Sequence, residues 1–446
     1  MRYQTDYNPT QLNTGHQTLM IGPWCLHYLA FSNHSHDPRP PVLFIGGAFQ
    51  TFRSFSHEIS ELLCDHPVIL LDLPSQGSNL QLASELSLEG LADLIAAFIC
   101  ELNLPAVMPV GLSYGSALAA LFACRHPSQC QRLLLSGVAA FGRPGARLLL
   151  EESLQVLEQG QIRTFAQGVI SGLINPLRTQ QTGISPTFQK VMLRQLQRLS
   201  SSEIQRYQQN SQRLLDFQGF DSHPQCPTLI LAGEYDHFTQ PWEHAHFAAD
   251  CANAEFAIIQ GADHLAQIER RQSCNQLYLP FLHSLPLPVN STGALRVEPA
   301  ALLQLERRQE PRTVPLHPQA RLQQVDGRKC QIEIVELGFF GGVFRTDNIQ
   351  YLPVRGWQLC FQQLKPLGIL LIHQSAECAA FIFTHCDAPA SQALAGYLKS
   401  AEQHRSALTY EHEQHAPGPV QSRLASPNLQ PSDSGQQLPL QQSHSL

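Results

Sequence analysis

Residues 106–124 read AVMPVGLSYGSALAALFAC, an apolar run, a serine between two glycines at alternate positions, and then a small-residue stretch of helical character. A serine at the tip of a tight strand-to-helix turn needs neighbours without bulk, because the backbone there is strained and lies close to adjacent elements. Gly111 and Gly115 supply that freedom around Ser113. The turn points the hydroxyl to the positive end of the following helix, where developing negative charge is favoured. The chemistry this suggests is nucleophilic attack on a carbonyl, which requires a histidine to take the serine proton and an acid to orient that histidine. Of the 20 histidines, His264 lies just beyond the last strand pattern of this part of the chain, AEFAIIQGAD (254–263). Asp236 ends the preceding strand pattern, PTLILAGEYD (227–236). Asp263 is a rival acid, although it adjoins His264 on one loop and so is poorly placed to meet the ring; Glu234 is a further candidate. An oxyanion hole calls for the backbone N–H of Tyr114 and a second donor from the loop after PVLFIGG (41–47), with Ala48 expected there and Phe49 as the alternative. Asp72 and Gly77, in LDLPSQG, read as turn formers. None of this chemistry requires a metal or a cofactor.

Strands must hold these loops at one edge of a sheet. PVLFIGG, PVILLDLP (67–74), AVMPV (106–110), QRLLLSGVAA (131–140) and the two strands above alternate with helical patterns, which implies a mainly parallel sheet. Between 142 and 225 the spacing changes: ARLLLEESLQVLEQ and PTFQKVMLRQLQRLS place apolar residues three and four apart, as in amphipathic helices. We expect a helical cap over the end of the sheet that carries Ser113. The expected organisation is a catalytic domain over 1–284, a proline-rich linker over 285–300, a small β-barrel or sandwich over 301–410, and a disordered tail over 411–446. Short alternating runs such as KCQIEIVEL, WQLCFQQL and CAAFIFTH carry the β signal of the third region, and ASQALAGYLKSAEQ reads as a helix packed on it. The tail is rich in proline, serine and glutamine.

The chain has 446 residues, 43% of them hydrophobic, and a formal charge of −7. That balance argues against general binding of a polynucleotide or an anionic membrane through a basic surface. No apolar run reaches transmembrane length, and the opening MRYQTDYNPTQLNTGHQ lacks the order of a secretory signal. The 12 cysteines form no C-x-x-C pair and no zinc-like spacing, so reduced core thiols in a cytoplasmic protein are expected.

Together, FIGGAFQTFRSF, VILLDLPSQGS, VGLSYGSALAALFACRHP, ILAGEYDHFT and IIQGADHL resemble the 3-(3-hydroxyalkanoyloxy)alkanoic acid synthase family, the acyl-joining component of rhamnosyltransferase 1, over roughly residues 20 to 285. That family is related to the hydroxyacyl carrier-protein transacylases of polyester synthesis. The resemblance implies an α/β-hydrolase fold with Ser113, Asp236 and His264 as a catalytic triad. It also implies an acyl carrier protein or acyl-CoA donor, and a product in which two 3-hydroxyacyl chains are joined into a 3-(3-hydroxyalkanoyloxy)alkanoic acid. Tyr114 stands where the family usually has tryptophan. Because triad and oxyanion hole are shared, an esterase or thioesterase is the nearest alternative.

The segment RRQEPR followed by VELGFFGG resembles the PilZ domain, whose R-x-x-x-R and (D/N)-x-S-x-x-G motifs hold cyclic di-GMP. Arg308 and Arg312 fit the first motif and Gly341 the end of the second, whereas Glu336 and Gly338 replace its acidic-or-amide residue and its serine. The implied function is a nucleotide-sensing barrel; the alternatives are a degenerate structural or interaction module and a non-catalytic signalling adaptor.

Overall fold

The structure is a computed structural model; it describes all residues except 14, 139–142, 305–309, 325, 347–351, 385–386 and 416–446, and the backbone alone of 404–415. Nine strands form one sheet: β1 (Gln17–Ile21), β2 (Trp24–Phe31), β3 (Val42–Ile45), β4 (Val68–Asp72), β5 (Met108–Leu112), β6 (Leu133–Ser136), β7 (Thr228–Gly233), β8 (Ala254–Ile259) and β9 (Ala294–Arg296). Their spatial order is β1-β2-β4-β3-β5-β6-β7-β8-β9. From β4 to β8 neighbours run parallel, and antiparallel strands close both edges. VILLD, MPVGL and TLILAG are buried along their whole length, as expected of strands covered on both faces.

Alternation along β3 and β4 sorts their side chains to opposite faces. Leu43, Ile45, Ile69 and Leu71 join one core cluster with Phe98 of α2 (Leu88–Glu101) and Phe122 of α3 (Tyr114–Arg125). Val42, Phe44, Val68 and Leu70 join a second with Ile59, on helix Ser56–Leu62 (α1), and with Leu277 and Phe281. Between β6 and β7 the chain forms α4 (Pro144–Glu158), α5 (Ile162–Leu173), α6 (Pro186–Leu196) and α7 (Ser201–Asp216). The Ser185 and Ser200 side chains accept the third helical N–H of α6 and α7, and Glu203 completes a capping box on Ser200. Helices α8 (Pro241–Asp250), α9 (Ala266–Glu269) and α10 (Arg271–Leu282) follow β7 and β8.

The segment expected to be a linker is partly ordered into the sheet. Ala294, Leu295 and Arg296 pair with β8, and α11 (Pro299–Leu303) follows. A three-residue edge strand, exposed at Leu295 and Arg296, is too short to carry a period in the sequence. The hairpin of β1 and β2 is a second addition to the strands expected from the sequence.

Beyond the sheet, β10 (Gln319–Gln324), β11 (Lys329–Leu337), β12 (Gly341–Arg345), β13 (Trp357–Cys360), β14 (Leu367–Gln374) and β15 (Cys378–Phe383) close into an antiparallel barrel, in the order β10-β11-β12-β15-β14-β13. Inward residues Leu322, Ile334, Phe344 and Phe381 fill it, and closure gives each strand a partner on both sides. Helix α12 (Ala388–His415) adds Leu394 to that core. It continues a few residues past the expected start of the tail, the rest of which lies outside the described residues. Sheet, cap and barrel belong to one compact unit, Met1–Ala401; a second unit begins at Glu402. No described helix is long and apolar enough to cross a membrane.

Candidate active site

Ser113 caps α3 with φ 51° and ψ −119°, a conformation that a non-glycine residue adopts at a cost of about 1–3 kcal/mol. The fold holds it there from both sides. The Ser113 N–H donates to Ser136 O of β6 at 2.8 Å, and Ser116 N–H returns to Ser113 O at 2.8 Å. A Cβ on Gly111 would lie 2.6 Å from Gly115 O, and one on Gly115 would lie 2.7 Å from Gly46 O. Both glycines are therefore required by close approach of backbones, which is the physical content of the motif.

Ser113 Oγ lies 3.0 Å from His264 Nε2, and His264 Nδ1 lies 2.8 Å from Asp236 Oδ2. The ring and the carboxylate are each about 1% exposed. Burial acts to raise the Asp236 pKa, but the His264 charge and hydrogen bond, His244 and the Thr239 N–H outweigh it, and the net shift is downward. Burial acts to lower the His264 pKa, and Asp236 reverses it, so the imidazole sits above its ordinary value. Such an array can accept a proton from Ser113 Oγ and stabilise the imidazolium that forms.

Asp263, the rival acid, faces elsewhere. Its Oδ1 accepts the His264 N–H at 2.9 Å, and its Oδ2 accepts the Asn175 N–H. Glu234 Oε2 accepts the Gly261 N–H at 2.8 Å. Asp72 accepts Ser78 N–H at 2.6 Å and crowds Gly77, whose φ is +47°, so this pair builds a turn. Burial raises the Asp72 pKa to about 6.

Tyr114 and Ala48 both line the cavity in front of Ser113. The Tyr114 N–H opens α3 and so has no acceptor within its own helix. A Cβ on Gly47 would come 3.2 Å from Ser113 Cβ, so this loop runs beside Ser113. The Gly47 N–H is itself committed to Gln50 Oε1 at 2.7 Å, and the Gln50 N–H to Gly47 O, so of this loop's amides these two are spent within the turn.

Three supporting residues carry no signal in the sequence. Thr239 Oγ1 donates to Asp236 Oδ2 at 2.8 Å and lies 3.1 Å from His264 Nδ1, while Phe238 and Thr239 N–H groups donate to Asp236 Oδ1. His244 accepts the Val138 N–H at Nε2 (2.7 Å) and donates from Nδ1 to Gln240 O (3.0 Å), tying the loop after β6 to α8. Burial lowers its pKa and favours this neutral form. Gly137, at φ +64°, leaves the space in which His264 sits, since a Cβ would come 2.8 Å from the ring. His244 and Gly137 act on partners distant in the chain, which spacing could not reveal; Thr239 meets Asp236 three residues away as in an ordinary local turn, and only the fold brings His264 to the same hydroxyl.

Of the residues singled out for nucleotide binding, Arg312 and Gly341 are described, and Arg312 is already engaged. Arg312 forms an ion pair with Glu336, the residue that replaces the motif's aspartate or asparagine. A Cβ on Gly338 would come 3.0 Å from Arg312 Cγ. Gly341, at φ +157°, lies so close to the Phe381 and Ile382 backbone that a side chain would collide, which gives it a packing reason of its own. Arg308 lies outside the described residues.

In front of Ser113 and His264 opens a cavity of about 1040 Å³. Cap residues Leu150, Val169, Met192 and Leu214 line it, as do Phe49 and Phe238. Ligand sites commonly measure roughly 300–1,000 Å³, so this one has room for a large apolar group.

Residues 40–271, just over half of the chain, match a family model described as the alpha/beta hydrolase fold. The chain belongs to that family. The match ends well before β10, so it speaks for the α/β-hydrolase part and not for the barrel. A poly(3-hydroxyalkanoate) depolymerase from Ectopseudomonas oleovorans is 25% identical over 54% of this chain and 84% of its own length. An (R)-3-hydroxydecanoyl-ACP:CoA transacylase from Pseudomonas aeruginosa is 21% identical over 53% of this chain and 78% of its own. Among solved structures, a hydrolase from Pseudomonas aeruginosa PA01 has a TM-score of 0.51 at 19% identity, covering 60% of this chain and 98% of that one. A thermophilic esterase from Thermogutta terrifontis scores 0.50 at 19% identity, covering 61% and 99%. These structural likenesses speak to the fold alone.

Proposed function

We propose that this α/β-hydrolase is a serine-dependent acyltransferase that takes a 3-hydroxyacyl chain from an acyl carrier protein or coenzyme A and joins it to a second such chain. The observation that carries the reading is the hydrogen-bonded series Ser113, His264, Asp236 opening into a large apolar cavity. In the first step Ser113 Oγ attacks the thioester carbonyl while His264 Nε2 takes the hydroxyl proton. Tyr114 and Ala48 amides hold the oxyanion. Collapse of the tetrahedral intermediate expels the thiolate, which receives the proton from His264, and leaves an ester on Ser113. In the second step the 3-hydroxyl of another chain gives its proton to His264 and attacks the ester carbonyl. Ser113 leaves with that proton, and the new ester is released.

Two relatives whose names concern 3-hydroxyacyl chemistry support the substrate class, one a depolymerase and one a transacylase. Arg53 and Arg198 on the same cavity suit the phosphates of a carrier or coenzyme A donor. Hydrolysis, with water in place of the second hydroxyl, uses the same groups, and the apolar cap residues over the cavity favour transfer over it by displacing water. The Arg312–Glu336 ion pair gives no support to a nucleotide-sensing role for the barrel, because Glu336 occupies an arginine that a cyclic dinucleotide would need.

The deciding experiment incubates the purified chain with 3-hydroxydecanoyl thioester and identifies the products by mass spectrometry. The dimeric ester is expected from wild type and neither product from Ser113→Ala. Free 3-hydroxydecanoate alone would replace this reading with a thioesterase.

A further inference from the structure

The barrel turns an apolar side toward the active site. Along β15, Ala379, Phe381 and Phe383 belong to the barrel core, and the two-residue period sends Ile382 outward. Its methyls have a destination: a Cβ on Gly145, at the start of α4, would meet Ile382 Cδ1 at 3.5 Å and Ile372 Cγ2 at 3.8 Å. In the turn between β11 and β12, Phe340 stacks on His237, with ring centroids 4.5 Å apart and planes 21° from parallel. His237 belongs to the same loop as Asp236 and Thr239, and its Nε2 donates to Ser171 O of α5 at 2.7 Å. Phe339, Phe340, Ile382 and Phe383 all line the cavity that contains Ser113 and His264.

Two ion pairs fix this arrangement. Arg178, between α5 and α6, holds Glu310 through Nε and a terminal nitrogen, each at 2.8 Å. Arg355 pairs with Glu151 of α4.

We propose that the C-terminal barrel supplies one wall of the acyl-chain pocket, and that Ile382 and Phe340 set the chain length the enzyme accepts. The occupant is the aliphatic part of a medium or long acyl group, because the barrel's described residues present to the cavity aromatic rings, a branched aliphatic side chain and the hydroxyls of Thr384 and Ser391, with no charge among them. This rests on Ser113 being the nucleophile. The barrel is thereby a substrate-selecting part of the catalytic unit.

The test measures kcat/KM of the full-length protein on p-nitrophenyl butyrate and p-nitrophenyl decanoate. Ile382→Trp fills space at the wall and lowers the decanoate-to-butyrate ratio at least tenfold, since each methylene denied its contact weakens discrimination about tenfold or more. Ile382→Ala enlarges the pocket and moves the preference the other way, as read on a p-nitrophenyl dodecanoate-to-decanoate ratio. Phe340→Ala changes the ratio as well. Lys329→Ala, on an exposed position of β11, leaves it as in wild type. A purely structural role would depress all esters alike. Ser113-dependent turnover with an unchanged ratio in both Ile382 variants and in Phe340→Ala overturns the proposal alone. Absence of any Ser113-dependent turnover in wild type overturns the nucleophile reading and the proposal with it.

Discussion

In the proposed reaction the imidazole of His264 acts as base only while Nε2 is unprotonated, and Asp236 holds its pKa above the ordinary imidazole value. Activity is therefore expected to fall as pH drops through an inflection higher than that of free imidazole. A pH profile of kcat/KM reads it directly. Asp236→Asn removes the charge that raises this pKa, so the inflection moves down, and the rate drops by about 10⁴ because the ring loses its orienting partner. An inflection that stays in place would show that Asp236 does not face the base. Thr239→Val removes a hydroxyl hydrogen bond to the same carboxylate and is expected to cost roughly ten- to a hundredfold in kcat with KM little changed. Ser113 is legible in the sequence because two glycines and flanking elements make a local pattern. Asp236 and His264 are legible as residues that end strands. His244 and Gly137 are not, since what matters about them is a neighbour brought up by the fold, and Thr239 is not because its bond to Asp236, three residues away, is an ordinary turn contact until His264 joins it.

At the level of elements, the positions that tolerate least are those where strand, turn and helix backbones nearly touch. Gly137→Ala places a methyl against the His264 ring at a backbone φ of +64°, so both strain and displacement follow. Urea denaturation is expected to show a loss of about 1–3 kcal/mol, and fluorophosphonate labelling of Ser113 should slow with it. Unaltered labelling would mean that the ring has room the structure does not give it. The central strands are readable as continuous apolar runs and the cap as three- and four-residue spacing. β9 is not, because three residues cannot show a period, nor is the β1–β2 hairpin, whose edge strand QTLMI places Met20 on the exposed side and Gln17 on the partly buried one, so residue type does not follow the alternation. The barrel strands are readable individually, whereas the order in which they close depends on non-local pairing.

The whole molecule depends on contacts between parts that lie far apart in the chain. Glu310 is 7% exposed at its side chain and is held by both arms of the Arg178 fork, while that guanidinium also lies 5.3 Å from the Tyr235 ring centroid. A double-mutant cycle on Arg178→Ala and Glu310→Ala, read by chemical denaturation, is expected to give a coupling of about 1–3 kcal/mol. A value near zero would show that the cap and the segment leading into the barrel are not joined there. The resemblance of RRQEPR and VELGFFGG to a nucleotide motif rests on residue types in order. Order alone could not reveal that Arg312 and Glu336 satisfy each other.

Ile382 and Phe340 belong to a barrel encoded long after the nucleophile, yet they share a cavity with it. Variation that leaves the elbow, the base and the acid untouched can therefore alter what the enzyme handles. Mutations confined to the last third of the gene would retune its diet of substrates, and a library built only around Ser113 and the cap would leave that wall unsearched.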